Sequence, residues 1–291
     1  SETFAGKLVY FPELDEVWAY SCGHLYRVEG FAKGGTVEGE RRISGIMHLD
    51  KVYDGPAETA ATGPLQIVQL RNPMKDEKAW SAAPVQVMKR DGKDLAQVQL
   101  GYDAKFLYAK FHVVDPTPLQ NVADNVNMAF KWGDCVGLDL GPAGPREAPV
   151  LGDVRLLAAM VNKKPTLVAM KPLSKLESKP ERYFTPAAGE RKFEFVGEVP
   201  GGKVELQADA DGQGYTALLA VPLMFVETKI APGVKLAVDV EVLLSGQAAR
   251  GMQTASRNYF FSAKTPATQM IDDVPTEASL YPKLWGIAEV K

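Results

Sequence analysis

The chain has 291 residues, 46% of them hydrophobic and 24% charged, and a formal net charge of −3. That is the mix of a globular protein, enough for one large β domain or two ordinary ones, and the charge gives no reason to expect a polyanion such as nucleic acid as partner. No apolar run approaches the roughly eighteen residues of a membrane span, so none is expected.

Residues 1 to 62 read as a small N-terminal β extension followed by a linker. Leu8-Val9-Tyr10-Phe11 is a short apolar run, and Val17–Tyr20 with Leu25–Val28 reads as a hairpin with Gly23 near its turn. Such a hairpin either packs onto the main body or closes a preceding propeller-type domain, and a two-stranded unit is marginal alone. Gly30 to Thr62 is rich in Gly, Glu, Arg and Lys, with Ile43–Leu49 as a short strand inside it. The opening at Ser1 lacks a basic-then-apolar leader, so export is not legible there.

From residue 63 a long series of strands follows. Leu65–Leu70, a turn at Lys78–Ser81, Val85–Val87, Leu95–Leu100 and Phe106–Val114 come first. In Phe106–Val114, Leu107, Ala109, Phe111 and Val113 alternate with Tyr108, Lys110 and His112, the period-two pattern of a strand with one face buried. Asp115-Pro116 ends it, because proline cannot donate to the next ladder bond. About twenty residues then separate it from Cys135–Leu140, where Val136, Leu138 and Leu140 share one face. Loops that long are usually functional or disordered, and this one carries Trp132 among polar side chains, the composition of a binding loop. Gly141–Pro149 is a loop, Asp153–Val161 and Thr166–Met170 form a hairpin turning near Asn162–Pro165, and Lys171–Glu190 reads as a charged loop. Phe193–Val199, Val204–Ala210, Tyr215–Val221, Val234–Leu244, Asn258–Phe261 and Ile287–Val290 complete the strands, and Leu223–Thr228 is the one helical turn. Many short strands separated by Gly and Pro turns, without a repeat of fixed period, predict an all-β, antiparallel β-sandwich.

No catalytic constellation stands out. The three histidines, His24, His48 and His112, have no Gly-x-Ser-x-Gly elbow to serve. Asp115, Asp124, Asp134 and Asp139 are close in sequence, but carboxylates at loop edges are commonly turn formers rather than a glycosidase pair. Cys22 and Cys135 lie far apart and are expected as buried free thiols. No Cys-x-x-Cys-His motif is present, and no Cys/His spacing suits zinc. Trp132 is open to two readings, a cap on the edge of the sandwich or a flat platform for a sugar ring. Trp80 and Trp285 read as packing. His112 is either a surface imidazole or an axial haem ligand, with Met128 in the long loop as the second. Asp134 and Asp139, with loop carbonyls, are the candidates for calcium.

The segments Val98–Asp103, Phe106–Phe111 and Asp115–Pro118 resemble the early strands of carbohydrate-binding module family 9 domains. So does Trp132-Gly133-Asp134-Cys135-Val136-Gly137-Leu138-Asp139. Gly214–Pro222 is similar to the family's strand that ends at a proline, and Pro275–Ala278 with Pro282–Val290 to its C-terminus. The likeness spans Pro64 to Lys291. It implies a DOMON-like sandwich of immunoglobulin or jelly-roll type over residues 63–291, an extracellular or periplasmic setting and attachment to a larger protein, commonly an enzyme. It implies a non-catalytic role: binding a poly- or oligosaccharide without a cofactor. Trp132 matches an aromatic position, Arg155 a hydroxyl-binding arginine and Glu241 a polar contact, with Asp134 and Tyr281 beside them. The chain departs from the family where Gly137 replaces a glutamate, where Leu243-Leu244 replaces Asn-Asp, and where a second clamping tryptophan is absent near Ser279 unless Tyr281 serves. A sister group with the same sandwich binds haem b, which keeps Met128 and His112 as an alternative site. Docking onto a neighbouring domain is the third expectation.

Overall fold

A computed structural model of the chain describes residues 8–11, 13, 15–21, 24–29, 63–90, 92–186, 188–248, 251–262 and 273–291. Cys22, Gly23, His48, the linker and the strand expected at Ile43–Leu49 lie outside the described residues. The chain divides into two compact units, Ser1–Ala57 and Glu58–Lys291.

In the first unit, β1 (Leu8–Phe11), β2 (Glu16–Ser21) and β3 (His24–Glu29) form an antiparallel sheet in that order. The expected hairpin is β2–β3, and the apolar run at Leu8 is its third strand. Asp15, just ahead of β2, has φ 51, a left-handed conformation that Asp tolerates better than most residues.

The second unit carries β4 (Leu65–Gln69), β5 (Gln86–Arg90), β6 (Lys93–Tyr102), β7 (Phe106–Val114), β8 (Cys135–Pro142), β9 (Val154–Val161), β10 (Lys164–Lys171), β11 (Glu181–Thr185) and β12 (Gly189–Phe193). After them come β13 (Phe195–Glu198), β14 (Lys203–Ala208), β15 (Gly214–Pro222), β16 (Lys235–Ala248), β17 (Gly251–Tyr259) and β18 (Gly286–Val290). Among the described residues two short α-helices interrupt the series: α1 (Leu223–Val226), within the helical turn expected at Leu223–Thr228, and α2 (Val274–Ala278), a second helix that the sequence reading did not expect. One 13-stranded sheet runs in the order β13-β10-β9-β8-β16-β18-β4-β6-β7-β15-β14, with β17 added beside β16 and β5 beside β6. The sheet folds over on itself into two layers. Val136, Leu138, Leu140, Leu156, Val238, Val240 and Val242 from one layer meet Val98, Leu100, Leu107, Phe111, Val113 and Leu219 from the other in a single apolar core. Each such side chain contributes about 1.5–3 kcal/mol by burial.

The period-two reading of β7 holds for Leu107, Ala109, Phe111 and Val113, which are buried, and for Lys110 and His112, which are half-exposed; Tyr108, expected on the outward face, is buried instead against Leu70, Trp80 and Ala220. The β9–β10 hairpin turns through Asn162 (φ 49) and Lys163 (φ 62), the paired left-handed residues of a type I′ turn. Besides the second helix, four features differ from expectation. The ladders are antiparallel except that β4 runs parallel to both its neighbours, β18 and β6. The charged stretch Lys171–Glu190 holds β11, which pairs with β12 in a separate hairpin; Arg182, Phe184, Glu190 and Arg191 are exposed on it, so no alternation marked the strands. The strand expected at Asn258–Phe261 begins at Gly251, because its polar residues pair with β16 and several face a buried polar network. Finally, β8 is buried on both faces rather than one. Its inner face lies in the core, and its outer face, with Cys135, Gly137 and Asp139, is roofed by chain from elsewhere.

Candidate functional site

The outer face of the β9-β8-β16-β17 layer carries the polar cluster. The register sets Arg155, Asp139 and Asp239 in one cross-strand row, and Leu157, Gly137, Glu241 and Tyr259 in the next. Two carboxylates two residues apart, Asp239 and Glu241, therefore point away from the core in an otherwise apolar strand.

Arg155 on β9 and Glu241 on β16 meet across β8. Arg155 donates from Nε to Glu241 Oε1 and from Nη2 to Oε2, both at 2.7 Å. The two side chains are 2% and 1% exposed, so this is a fully desolvated bidentate pair. The crossing depends on Gly137. A Cβ there would stand 2.4 Å from Glu241 Oε1 and 2.6 Å from its Cγ. The side chain missing at Gly137 thus leaves the space that Glu241 fills from the neighbouring strand.

Helix α2 roofs this pair. Its Asp273 cap accepts from Thr276 N, Pro275 sits in the first turn, and Glu277 points inward, fully buried. Glu277 Oε1 accepts from Lys131 Nζ at 2.8 Å, Oε2 is hydrogen-bonded by Arg257, and its main-chain carbonyl accepts from Arg155 Nη1 at 2.7 Å. The Arg155 guanidinium also lies 5.3 Å from the Phe130 ring centroid. Burial raises the Glu277 carboxyl, and Arg257 and Lys131 oppose that shift.

Beside the roof, Asp139, Arg155 and Asp239 floor a cavity of about 10 Å³ walled by Tyr259, Tyr281 and Trp285, the room of about one water-sized group. Tyr259, Tyr281 and Trp285 are each partly buried. Trp285, expected as packing, does pack against the second apolar cluster and also walls this cavity; the Arg146 guanidinium lies 5.7 Å from its ring centroid. Asp239 accepts from the main-chain N–H groups of Val240, Phe260, Phe261 and Ser262, which fixes the chain leaving β17, and burial pushes its carboxyl up to about 6. Asp153, next to the cluster, accepts from Arg146 and from Val150 N. Asp139 differs from all of these: its Oδ1 is buried without a hydrogen-bond partner. Burial, with Glu241 nearby, raises its carboxyl well above the usual range, and Arg155 pulls the other way.

The other expected residues take different places. Trp132 is half-buried and packs on the second apolar cluster, around Phe130, Leu157 and Met170, rather than lining the cavity. Asp134 closes the long loop: its oxygens accept from Gln120 N and Ser245 N, both at 2.6 Å. Burial and the nearby Asp115 push its carboxyl up to about 7, against the pull of those N–H groups. The loop is tied further by Asn121, whose side chain reaches Ala129 O, Asp134 O and Ala123 N. Gly133 (φ 135) passes so close to Gln120 O that a Cβ would meet it at 1.9 Å. His112 Nε2 lies 2.9 Å from Asp209 Oδ2 on the surface, while Met128 packs against the second apolar cluster. Cys135 is a buried free thiol, raised by burial. Among the described residues no group of three or more His, Cys, Asp or Glu side chains is placed to hold a metal ion. A wider depression of about 580 Å³ runs between Gln69–Asn72 and Asp103–Lys105. Its one carboxylate, Asp103, already accepts from Lys105 N, Phe106 N and Tyr108 OH.

Tyr259 and Asp239 were not singled out from sequence, and Trp285 was read only as packing. The available signal was Asp239 and Glu241 inside Leu236–Leu244, an apolar strand that has no use for charge unless its outer face is a site.

No family model matches the chain, and no curated protein matches it. Among solved structures, it is similar to a family 9 carbohydrate-binding module from Caldicellulosiruptor kristjanssonii in complex with glucose. The identity is 13% over 79% of this chain and 96% of that one, with a TM-score of 0.48. The same organism's module in complex with cellotriose gives 14% identity over 79% and 94%, with a TM-score of 0.49.

Proposed function

We propose that Glu58–Lys291 is a non-catalytic carbohydrate-binding domain whose site is the Tyr259–Tyr281–Trp285 cavity. The observation that carries this reading is the arrangement of the cavity itself. Three partly buried aromatic residues surround a buried polar floor on a rigid sheet. Aromatic faces take the C–H face of a sugar, and the floor takes a hydroxyl. A pyranose is far larger than 10 Å³. It would therefore stack on the rim and send a single substituent inward. Arg155 and Glu241 act mainly on each other, so their part is to hold the floor rigid rather than to read hydroxyls directly. Trp132 packs on the second apolar cluster and has no part in this cavity. The chemistry favours binding over turnover: Asp239 and Glu241 are held by hydrogen bonds, and the Cys135 thiol is buried and raised. By the likeness of its sequence, the domain would serve a larger extracellular or periplasmic protein.

The test is titration calorimetry with glucose and cello-oligosaccharides on the full chain, with Trp285→Ala and Trp132→Ala beside wild type. Removing the stacking ring at Trp285 is expected to weaken binding about tenfold or more, and Trp132→Ala to change it much less. Wild-type binding that survives Trp285→Ala unchanged overturns the site. Absence of binding by wild type overturns the function.

A further inference from the structure

Resting on that reading, we propose that the saccharide bound at the Tyr259–Tyr281–Trp285 cavity carries a carboxylate, as a uronic acid does, and that Arg191 at the cavity's edge receives it. Arg191 pairs with Tyr183 across the β11–β12 hairpin, and directly opposed residues share a face. Tyr183 is buried, its ring edge-on to those of Phe130 and Phe193. Arg191 therefore leaves the hairpin on its inner side, while Lys192 shares the outer face with Arg182. The Arg191 Nε donates to Ser279 Oγ at 2.9 Å, and Ser279 lines the cavity. Its Nη1 donates to Ala188 O at 3.2 Å and to Glu190 O at 2.9 Å. Among the described residues these are its hydrogen bonds, and none goes to a carboxylate, so Nη2 stays available. The result is an exposed guanidinium, held in place by neutral acceptors, at the edge of the aromatic site.

The groups around Arg191 leave its charge uncancelled. Arg146 has Asp153, Lys283 has Glu147, and Glu190 takes both its bonds from Arg182 on the outer face. Asp273 is occupied as the cap of α2. Beneath the cavity, Arg155, Lys131 and Arg257 face two carboxylates, Glu241 and Glu277. Burial raises Asp139 well above the usual carboxylate range and Asp239 to about 6, so at pH 5.5 both are mostly neutral. A carboxyl in water is ionised at that pH. A sugar hydroxyl could accept from Nη2 and leave the charge unpaired. A carboxylate accepts the same hydrogen bond with charge assistance, which makes it roughly twice as strong.

The experiment compares three tetrasaccharides on the full chain at pH 5.5 and 50 mM salt. They are cellotetraose, the β-1,4 glucuronic acid tetramer that differs from it by oxidation at C6, and the methyl ester of that acid, which keeps its size without its charge. The acid is expected to bind about fivefold more tightly than either neutral sugar, the upper margin of a solvent-exposed ion pair. At 500 mM salt the margin should fall to about twofold or less. Arg191→Gln should remove it. Lys192→Gln, which takes the same charge from the outer face, should keep it. Equal binding of all three by wild type overturns the inference and leaves the proposed function standing. A margin that survives Arg191→Gln overturns it, because the carboxylate is then held elsewhere, and so does a margin lost in Lys192→Gln, because net charge is then the cause. Binding of none of the three overturns both. Wild type and Lys192→Gln decide alone if Arg191→Gln does not fold.

Discussion

Glu277→Gln isolates the buried polar roof. The substitution keeps shape and the main-chain carbonyl that receives Arg155, but removes the carboxylate that faces Lys131 and Arg257. Arg257 is the more exposed to the loss in energy terms: its Nε and Nη1 already lack partners, and its remaining bond is from Nη2 to Phe130 O at 3.2 Å. Its side chain is 0% exposed, so water does not replace the carboxylate. Breaking a buried ion pair by removing one member costs about 3–5 kcal/mol. For a domain of this size that lowers Tm by roughly 6–20 °C, and it is a large part of a typical total stability of about 5–15 kcal/mol. Urea unfolding followed by near-UV circular dichroism measures the loss directly. Arg257→Met in the Glu277→Gln background should destabilise much less than Arg257→Met alone, giving a coupling of about 2 kcal/mol or more. A loss below about 1 kcal/mol for Glu277→Gln, with no coupling to Arg257, would refute the picture of a dry roof.

Gly137→Ala should push Glu241 off Arg155 and cost about 1–3 kcal/mol, the range for overpacking, whereas Gly144→Ala, where a Cβ meets nothing within 4 Å, costs only what its φ of 141 imposes; urea titration of the two variants gives the comparison. Stability should rise as pH falls from 7.5 to 5.5. Asp134, raised to about 7, and Asp239, raised to about 6, bind protons in the folded state at pH values where unfolded carboxyls, near 3.9, do not, so protonation favours the fold in that window. The lowered carboxyls, Asp103 and Glu289, act only below the unfolded range and do not oppose it. A Tm that falls between pH 7.5 and 5.5 would count against this. Asp139→Asn should raise Tm near neutral pH, since burial holds the Asp139 carboxyl well above its unfolded range and folding must protonate it, a cost the amide does not carry, and calorimetry without ligand shows the sign.

The sandwich was legible because its inner faces obey period two. Phe106–Val114 and the turn at Asn162-Lys163 could be placed from residues alone. The strands that were missed or shortened, β11 and β17, lack that signal for opposite reasons. In β11 the apolar Phe184 shares the exposed face with Arg182 while Tyr183 is buried on the other, and β17 turns polar residues into a buried network rather than into water. The same limit applies to the site. Arg155, Glu241 and Tyr281 could be proposed one by one, but that Arg155 and Glu241 engage each other, and that Glu277 roofs them, depends on register across four strands and on a glycine between them. Trp132 and Asp134 drew attention because they sit in a conspicuous loop. Asp134 is what ties that loop shut, and the rings at the cavity come from chain more than a hundred residues away.

Among the described residues the two layers of the sheet are continuous only through β18, which bonds β16 on one side and β4 on the other, pairing Ala288 with both Leu236 and Leu65. During synthesis, β4 is made early and waits for a seam that the last-made strand must fill. Until then β4 and β16 each offer an unsatisfied edge, the situation in which strands recruit the wrong neighbour. Closure of so long a loop is slow. The nascent chain is therefore expected to depend on chaperone protection until Gly286–Val290 has left the ribosome, and yield on expression should be more sensitive to substitutions in those five residues than the stability of the finished protein is.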